Sequence, residues 1–241
     1  MKASAFQWLV ATLFLAASII PTTGVASDAG DPGDLAAILD DTTFLAAHPD
    51  MRWRKLAIDA HKAGRDEQAR EYFQRAALYA DKFSQAAYAE MLWKGEGGGQ
   101  DRPLAYAWMD LAAQRGSRAL LMRREYYWSQ LDEAEKARAQ DVGQAVYARY
   151  GDKVARPRQE REMRVGRNRA TGSRLGAPGG GRICTSVDAG ALRGSSGTDR
   201  GSILGGACGY PVDAEAYYAP RLWEPAQYWA WQDQLLEESM R

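Results

Sequence analysis

Residues 69–77 read AREYFQRAA and residues 105–113 read AYAWMDLAA, so one pattern recurs 36 residues along the chain. Small or large apolar side chains fall at matching positions, three or four residues apart, in both stretches. This spacing forms one face of an α-helix, and alanines on that face let a neighbouring helix approach closely. The predicted packing residues are Ala69, Tyr72, Phe73, Ala76, Ala77, Ala105, Trp108, Met109, Ala112 and Ala113.

The chain between these stretches predicts another helix and a turn. Residues 84–93 carry apolar residues at helical spacing, and the run KGEGGG at 94–99 is typical of a helix end. Asp101 then predicts an N-cap, and Pro103 suits the first turn of the next helix. The sequence thus predicts a mainly α fold, with a short α-solenoid of helix-turn-helix repeats at residues 34–150.

The region from about Leu56 to Gly116 resembles Sel1-like repeats, which are α-solenoid repeats related to tetratricopeptide repeats. The resemblance is carried by the two alanine stretches, Gln85-Ala86-x-Tyr88-Ala89-x-Met91, Gly95-x-Gly97, Asp101 and Ala112-Ala113-x-x-Gly116. It implies an adaptor that binds a protein or peptide through the face of stacked helix pairs. Glu90 and Lys94 fall outside the packing stripe, so we expect them to be available for binding on that face.

The first 26 residues are typical of an export signal. Residues 8–20 form an uncharged apolar run of 13 residues, and small residues precede a cleavage point after Ala26. An uncleaved anchor is the alternative, but the run is shorter than the roughly 20 residues that a spanning helix needs. We therefore expect a periplasmic or secreted protein with no stable membrane span.

A capping box formed by Asp132 and Glu135 predicts the start of the last helix of the repeat region. A basic run follows at residues 149–174, within a predicted linker or helix at 151–175. An anionic membrane surface or an acidic partner would suit this run, but a solvated helix has the same composition. Apart from Tyr150 at its start, the run lacks aromatic residues for base stacking, so nucleic acid is not expected as a partner.

Residues 176–241 are predicted to form a glycine-rich, partly β or irregular tail with a final helix. Candidate strands are Arg182 to Val187 and Ser202 to Leu204. In an oxidising compartment, Cys184 and Cys208 are expected to form a structural disulfide. They lack the Cys-x-x-Cys spacing of a redox-active pair.

The end of the chain is rich in aromatic residues, which could bind an envelope glycan or a partner if they are exposed. The alternative is that they dock the tail onto the helices. These residues are Tyr210, Tyr217, Tyr218, Trp223, Tyr228, Trp229 and Trp231. Pro225 predicts the first turn of a helix that ends near Glu238.

Composition and motifs favour a binding protein over an enzyme. The chain has 31 basic and 31 acidic residues, two cysteines and two histidines, His48 and His61. We find no metal-ligand spacing, nucleophile motif or phosphate loop, so no cofactor is expected. An enzyme that cleaves cell-wall glycan with scattered carboxylates is a minority alternative. The leading prediction is a non-enzymatic periplasmic adaptor for a protein or peptide, and the alternative is an envelope-glycan binding protein that uses its C-terminal aromatic residues.

Overall fold

The structure is a computed structural model that describes residues 32–170, 181–185 and 210–240. The prediction of a mainly α fold is confirmed. In chain order the helices are α1 (Pro32–Asp40), α2 (Thr42–Ala47), α3 (Pro49–Lys62), α4 (Asp66–Ala77), α5 (Lys82–Lys94), α6 (Arg102–Ala112), α7 (Arg118–Gln130), α8 (Glu133–Tyr150), α9 (Asp152–Ala170), α10 (Ala214–Tyr217), α11 (Pro220–Trp223) and α12 (Pro225–Ser239). Two strands, β1 (Arg182–Cys184) and β2 (Pro211–Asp213), lie between α9 and α10 in the chain. Within these ranges, no helix is long and apolar enough to cross a membrane.

The predictions on signal cleavage and disulfide bonding concern residues that the structure does not describe. The proposed cleavage site after Ala26 lies among them. For the disulfide, Cys184 ends β1 whereas Cys208 lies outside the described residues. Both stay predictions.

Local side-chain caps form at the helix ends that the sequence marks. Asp101 accepts a hydrogen bond of 3.1 Å from the backbone N–H of Leu104 and so caps α6. Asp132 and Glu135 form the expected reciprocal capping box at the start of α8, at 2.8 and 3.1 Å. Gly95 ends α5 in the left-handed conformation, with φ at 75°. These boundary predictions are confirmed. They could be made from the sequence because helix caps and helix stops depend on nearby residues.

The described residues divide into two compact units. The first unit contains residues 49–161 and 229–240. The second unit contains residues 32–48, 162–170, 181–185 and 210–228. Each unit combines segments that are distant in the chain, whereas the sequence suggested regions that follow one another in linear order.

Consecutive helices pack against one another in the first unit. Each of α3, α4 and α5 contacts the next helix, and α6 also contacts α7 and α8. Trp108 lies at the centre, with its ring 4.7 Å from that of Tyr88 and 4.5 Å from that of Tyr150. All the predicted packing residues are buried except Tyr72, which is partly buried and packs against this core. The alanine stripes therefore occupy the helix contacts where their small size is needed.

A small antiparallel hairpin belongs to the second unit. Ile183 of β1 lies opposite Val212 of β2. A strand was expected from Arg182 to Val187, and its first part is confirmed as Arg182–Cys184, while Val187 lies outside the described residues. The observed partner strand is Pro211–Asp213, whereas the expected partner near Ser202 lies outside the described residues. Asp213 then caps the short helix α10.

Candidate functional site

Glu90 and Lys94, the two residues predicted to bind a partner, form an ion pair on α5. Lys94 Nζ lies 3.6 Å from Glu90 Oε2, and Arg123 Nε of α7 lies 3.1 Å from Glu90 Oε1. Glu90 is only 1 % exposed. The expectation that Glu90 is free on the surface is therefore wrong, because two cations from α5 and α7 hold its carboxylate inside. Its role in binding stays a prediction.

An exposed aromatic and apolar surface lies beside this buried carboxylate. The Trp93 ring stacks on the Tyr127 ring, with centroids 3.9 Å apart, and lies 6.4 Å from the Tyr126 ring. Tyr126 is 50 % exposed, and Met122, one turn earlier on α7, is 64 % exposed. The Arg102 guanidinium lies 5.0 Å above the Trp93 ring. We call Trp93, Arg102, Met122 and Tyr126 the Trp93 surface.

The interior beneath the Trp93 surface supports these side chains. The Tyr127 ring is buried and forms the base on which Trp93 stacks. Burial, with a further contribution from the nearby Glu90 carboxylate, raises the pKa of Tyr127 above its ordinary value. Tyr127 therefore stays neutral and serves as a fixed aromatic support.

Sequence reasoning missed Met122 and Tyr126, although α7 carries a signal. Its sequence, RALLMRREYYWSQ, has apolar residues on every side of the helix. A surface helix normally buries a single apolar stripe. Because α7 has apolar residues on its other sides as well, some of them are expected to stay exposed to solvent. The buried stripe includes Leu120 and Tyr127, and the exposed residues are Met122 and Tyr126.

A second cluster of charged groups in the first unit surrounds a buried lysine. Lys82 is 3 % exposed, and its Nζ lies 3.0 Å from Asp152 Oδ1. Arg115 donates to both Asp152 oxygens at 2.7 and 3.3 Å, and to Asp233 Oδ1 at 2.9 Å. Burial lowers the pKa of Lys82 to about 8, although Asp152 partly offsets the effect. Burial alone would raise the pKa of Asp152, but its bonds from Arg115 and Lys82 hold it below the ordinary value.

Protein groups surround the Lys82 ammonium at the centre of this cluster. Lys82 Nζ also donates to the Leu111 carbonyl at 2.8 Å and to Gln85 Oε1 at 3.0 Å. Trp229 lies near the guanidinium groups of Arg115 and Arg156, at 4.9 and 5.1 Å from its ring centre. Lys82 is thus satisfied and inaccessible, so the cluster serves the structure.

Part of the basic run is engaged with the protein itself. Arg156 Nε lies 3.1 Å from Asp152 Oδ2, and Arg158 donates to the Leu78 carbonyl at 2.9 Å. Arg167 pairs with Glu224 in the second unit. These contacts favour the structural explanation of the run over a dedicated surface for membranes.

The aromatic residues near the C-terminus are mostly buried. Tyr217, Trp223, Tyr228 and Trp229 are all buried, and Tyr218 and Trp231 are half-buried. Only Tyr210, at 45 % exposure, is largely open among the seven expected aromatic residues. Buried rings cannot stack on a sugar, so a glycan site in this region would have to use Tyr210 and the half-buried Tyr218 and Trp231. Glycan binding stays a prediction.

His48 lies among aromatic rings in the second unit. Its ring stacks on Phe44 at 3.9 Å and lies 5.0 Å from Trp223. Nδ1 lies 2.9 Å from the Phe44 carbonyl oxygen, and Nε2 lies 2.8 Å from the Leu222 carbonyl oxygen. Burial lowers the pKa of His48 to about 4, against the smaller opposing effect of these carbonyls. We take the His48 ring as neutral at pH 7, so it carries a single N–H group. It therefore donates a hydrogen bond to only one of these two carbonyl oxygens.

We expect acid to destabilise the protein through His48. Its folded pKa of about 4 is below the ordinary 6.5, so the unfolded chain binds a proton first as the pH falls. The loss of unfolding free energy should build up between pH 6.5 and 4 and reach about 3 kcal/mol. Denaturant unfolding of the wild type and His48→Gln over this range measures it. Equal pH dependence in the two proteins would contradict the expectation.

Among the described residues, no group of three His, Cys, Asp or Glu side chains is placed to hold a metal ion. No family model, curated protein or solved structure matches this chain. The functional argument therefore depends on the geometry of the Trp93 surface.

Proposed function

We propose that this protein is a non-enzymatic adaptor that binds a protein or peptide through the Trp93 surface. The observation that carries the proposal is the exposure of Tyr126, whose ring lies 6.4 Å from a Trp93 ring stacked on Tyr127, together with exposed Met122 one turn earlier on α7. Exposed clusters of large apolar side chains with a polar rim are typical of interaction sites. Tryptophan, tyrosine and arginine also supply most of the binding energy at protein interfaces.

The chemistry of the surface defines the partner as a peptide segment with an apolar anchor side chain. Trp93 and Tyr126 offer ring faces, and the flexible Met122 side chain can adapt to the shape of the anchor. The neighbouring charges are largely balanced. Arg102 lies 3.4 Å from Glu135, and Glu90 is shared by Lys94 and Arg123. Binding should therefore depend on apolar contact more than on net charge.

The Sel1-like character of the helices is part of the proposal. The resemblance requires small residues at the helix contacts, and the burial of both alanine stripes supports it. It also requires a glycine at the turn after α5, and Gly97 approaches the backbone at the start of α4 closely. We include export, cleavage after Ala26 and a Cys184–Cys208 disulfide as further parts of the proposal. The intact mass of the purified chain would test these three.

Photo-crosslinking in living cells tests the binding surface. Benzoylphenylalanine at position 126 should give a discrete adduct with a partner, identified by mass spectrometry. The same group at Gln144, an exposed position of α8, should give none. The adduct at 126 should be lost when Met122→Ala and Trp93→Ala are added, because the anchor contacts are gone.

The alternative outcomes separate the two functions. A probe at Tyr210 serves the glycan-binding alternative, since Tyr210 is the open aromatic residue of the tail. A partner captured at 210 and never at 126 would contradict the adaptor site proposed here. Equal capture at 126 and 144 would show non-specific contact and would contradict it as well.

A further inference from the structure

An open cavity of about 330 Å³ lies next to the Trp93 surface, between the starts of α6 and α8. It is lined by Gln100, Asp101, Arg102, Pro103, Ala134, Glu135 and Arg138. Arg102 belongs to both sites, because its guanidinium lies over the Trp93 ring and its side chain lines the cavity. Arg102 therefore connects the Trp93 surface to the cavity.

The two acidic residues of the cavity already serve as helix caps. Asp101 Oδ1 accepts from Leu104 N at 3.1 Å, and its Oδ2 pairs with Arg138 Nη2 at 2.6 Å. Glu135 Oε2 accepts from Asp132 N at 3.1 Å and lies 3.4 Å from Arg102 Nη1. Arg102 also donates to the Gln130 carbonyl. The capping bonds fix the positions of the Asp101 and Glu135 carboxylates. Each arginine guanidinium has five N–H groups that can donate hydrogen bonds.

The two arginines are half-open to solvent. The side chain of Arg138 is 56 % exposed and that of Arg102 is 32 % exposed. Exposed ion pairs of this kind are weak and exchange partners readily. An incoming carboxylate can therefore pair with both guanidinium groups and leave the capping bonds of Asp101 and Glu135 in place. Guanidinium groups suit this task because their planar donors match a carboxylate.

We infer that the cavity binds a carboxylate of the partner peptide, next to the apolar anchor that lies on the Trp93 surface. The inference rests on the proposed function and adds the chemistry that the partner must carry. The carboxylate has two possible sources, a free C-terminus and an acidic side chain. Arg102 belongs to both parts of the site. Its guanidinium lies over the Trp93 ring that holds the apolar anchor, and its N–H groups pair with the carboxylate.

Three small probes test the inference on the full exported chain by NMR. They are acetyl-Leu-Phe with a free carboxylate, its C-terminal amide, and acetyl-Asp-Phe-amide, whose only carboxylate is on a side chain. The Trp93 indole signal should shift with at least one carboxylate probe at millimolar concentration. The plain amide should bind about tenfold more weakly, as expected for the loss of one charge-assisted interaction. The better of the two carboxylate probes identifies the source.

Two variants connect this preference to the cavity. Arg138→Gln should reduce the affinity for the better carboxylate probe to that of the amide, with little change in melting temperature. Arg118→Gln, an exposed arginine at the start of α7 outside the cavity lining, should keep the preference. Retention of the preference in Arg138→Gln would overturn the inference. Equal binding of amide and carboxylates would overturn it but leave the Trp93 surface supported, whereas no shift with any probe would overturn both.

Discussion

Replacement of Asp152 with asparagine is expected to lower the free energy of unfolding by about 3–5 kcal/mol. Asp152 is the anion that Lys82 and Arg115 share, at 3.0 and 2.7 Å. The asparagine has nearly the same volume, so the core packing is preserved and the change is one of charge. Lys82 and Arg115 then remain buried with only Asp233 as a nearby counter-ion. The cost arises because Lys82 and Arg115 lose the negative charge that offset their desolvation, and Lys82 keeps only neutral acceptors such as the Leu111 carbonyl.

Denaturant unfolding monitored by circular dichroism measures this loss. Asp141→Asn is the matched control, since Asp141 is exposed on α8, and its effect should stay within about 0.5 kcal/mol. A second variant, Lys82→Met, should cost less than Asp152→Asn, because it removes the buried cation together with its need for a partner. A loss below about 1 kcal/mol for Asp152→Asn would show that water reaches the cluster.

Local features of this fold could be predicted from the sequence, because their causes are local. The caps at Asp101 and Asp132 bind backbone groups three residues away, so a short pattern determines them. The alanine stripes are similar, since helical spacing fixes which side chains share a face. These are the elements in which prediction and structure agree.

The features that the sequence did not reveal depend on distant residues. Glu90 is buried because Arg123, on another helix, supplies a cation at 3.1 Å. Asp152 acquires its role from Lys82 and Arg115, which lie far from it in the chain. The candidate site is a similar case, because Trp93, Arg102 and Tyr126 come from three helices. A hydrophobic pattern indicates that a side chain has a buried face, but it does not identify the partner.

Gly97→Ala is expected to destabilise the protein by about 2–4 kcal/mol, through two separate causes. The first is conformational, since Gly97 has φ of 69°, a region that residues with a Cβ rarely adopt. The second is steric, because an added Cβ would lie 2.5 Å from the Asp66 carbonyl carbon and closer still to its oxygen. Asp66 is the first residue of α4, so relief of this overlap would separate the turn after α5 from that helix.

Two other glycines separate these causes. Gly64 has φ of 71°, but a Cβ there would meet no atom within 4 Å, so Gly64→Ala should show the conformational cost alone, about 1 kcal/mol. Gly99 has neither a positive φ nor a close neighbour, and Gly99→Ala should be neutral or slightly stabilising. Unfolding free energies of the three variants give the comparison. The steric cause is contradicted if Gly97→Ala lowers the free energy of unfolding no more than Gly64→Ala does. In that case the turn moves away from Asp66 at no cost in stability, and its close approach to α4 does not contribute to the packing of the helix pairs.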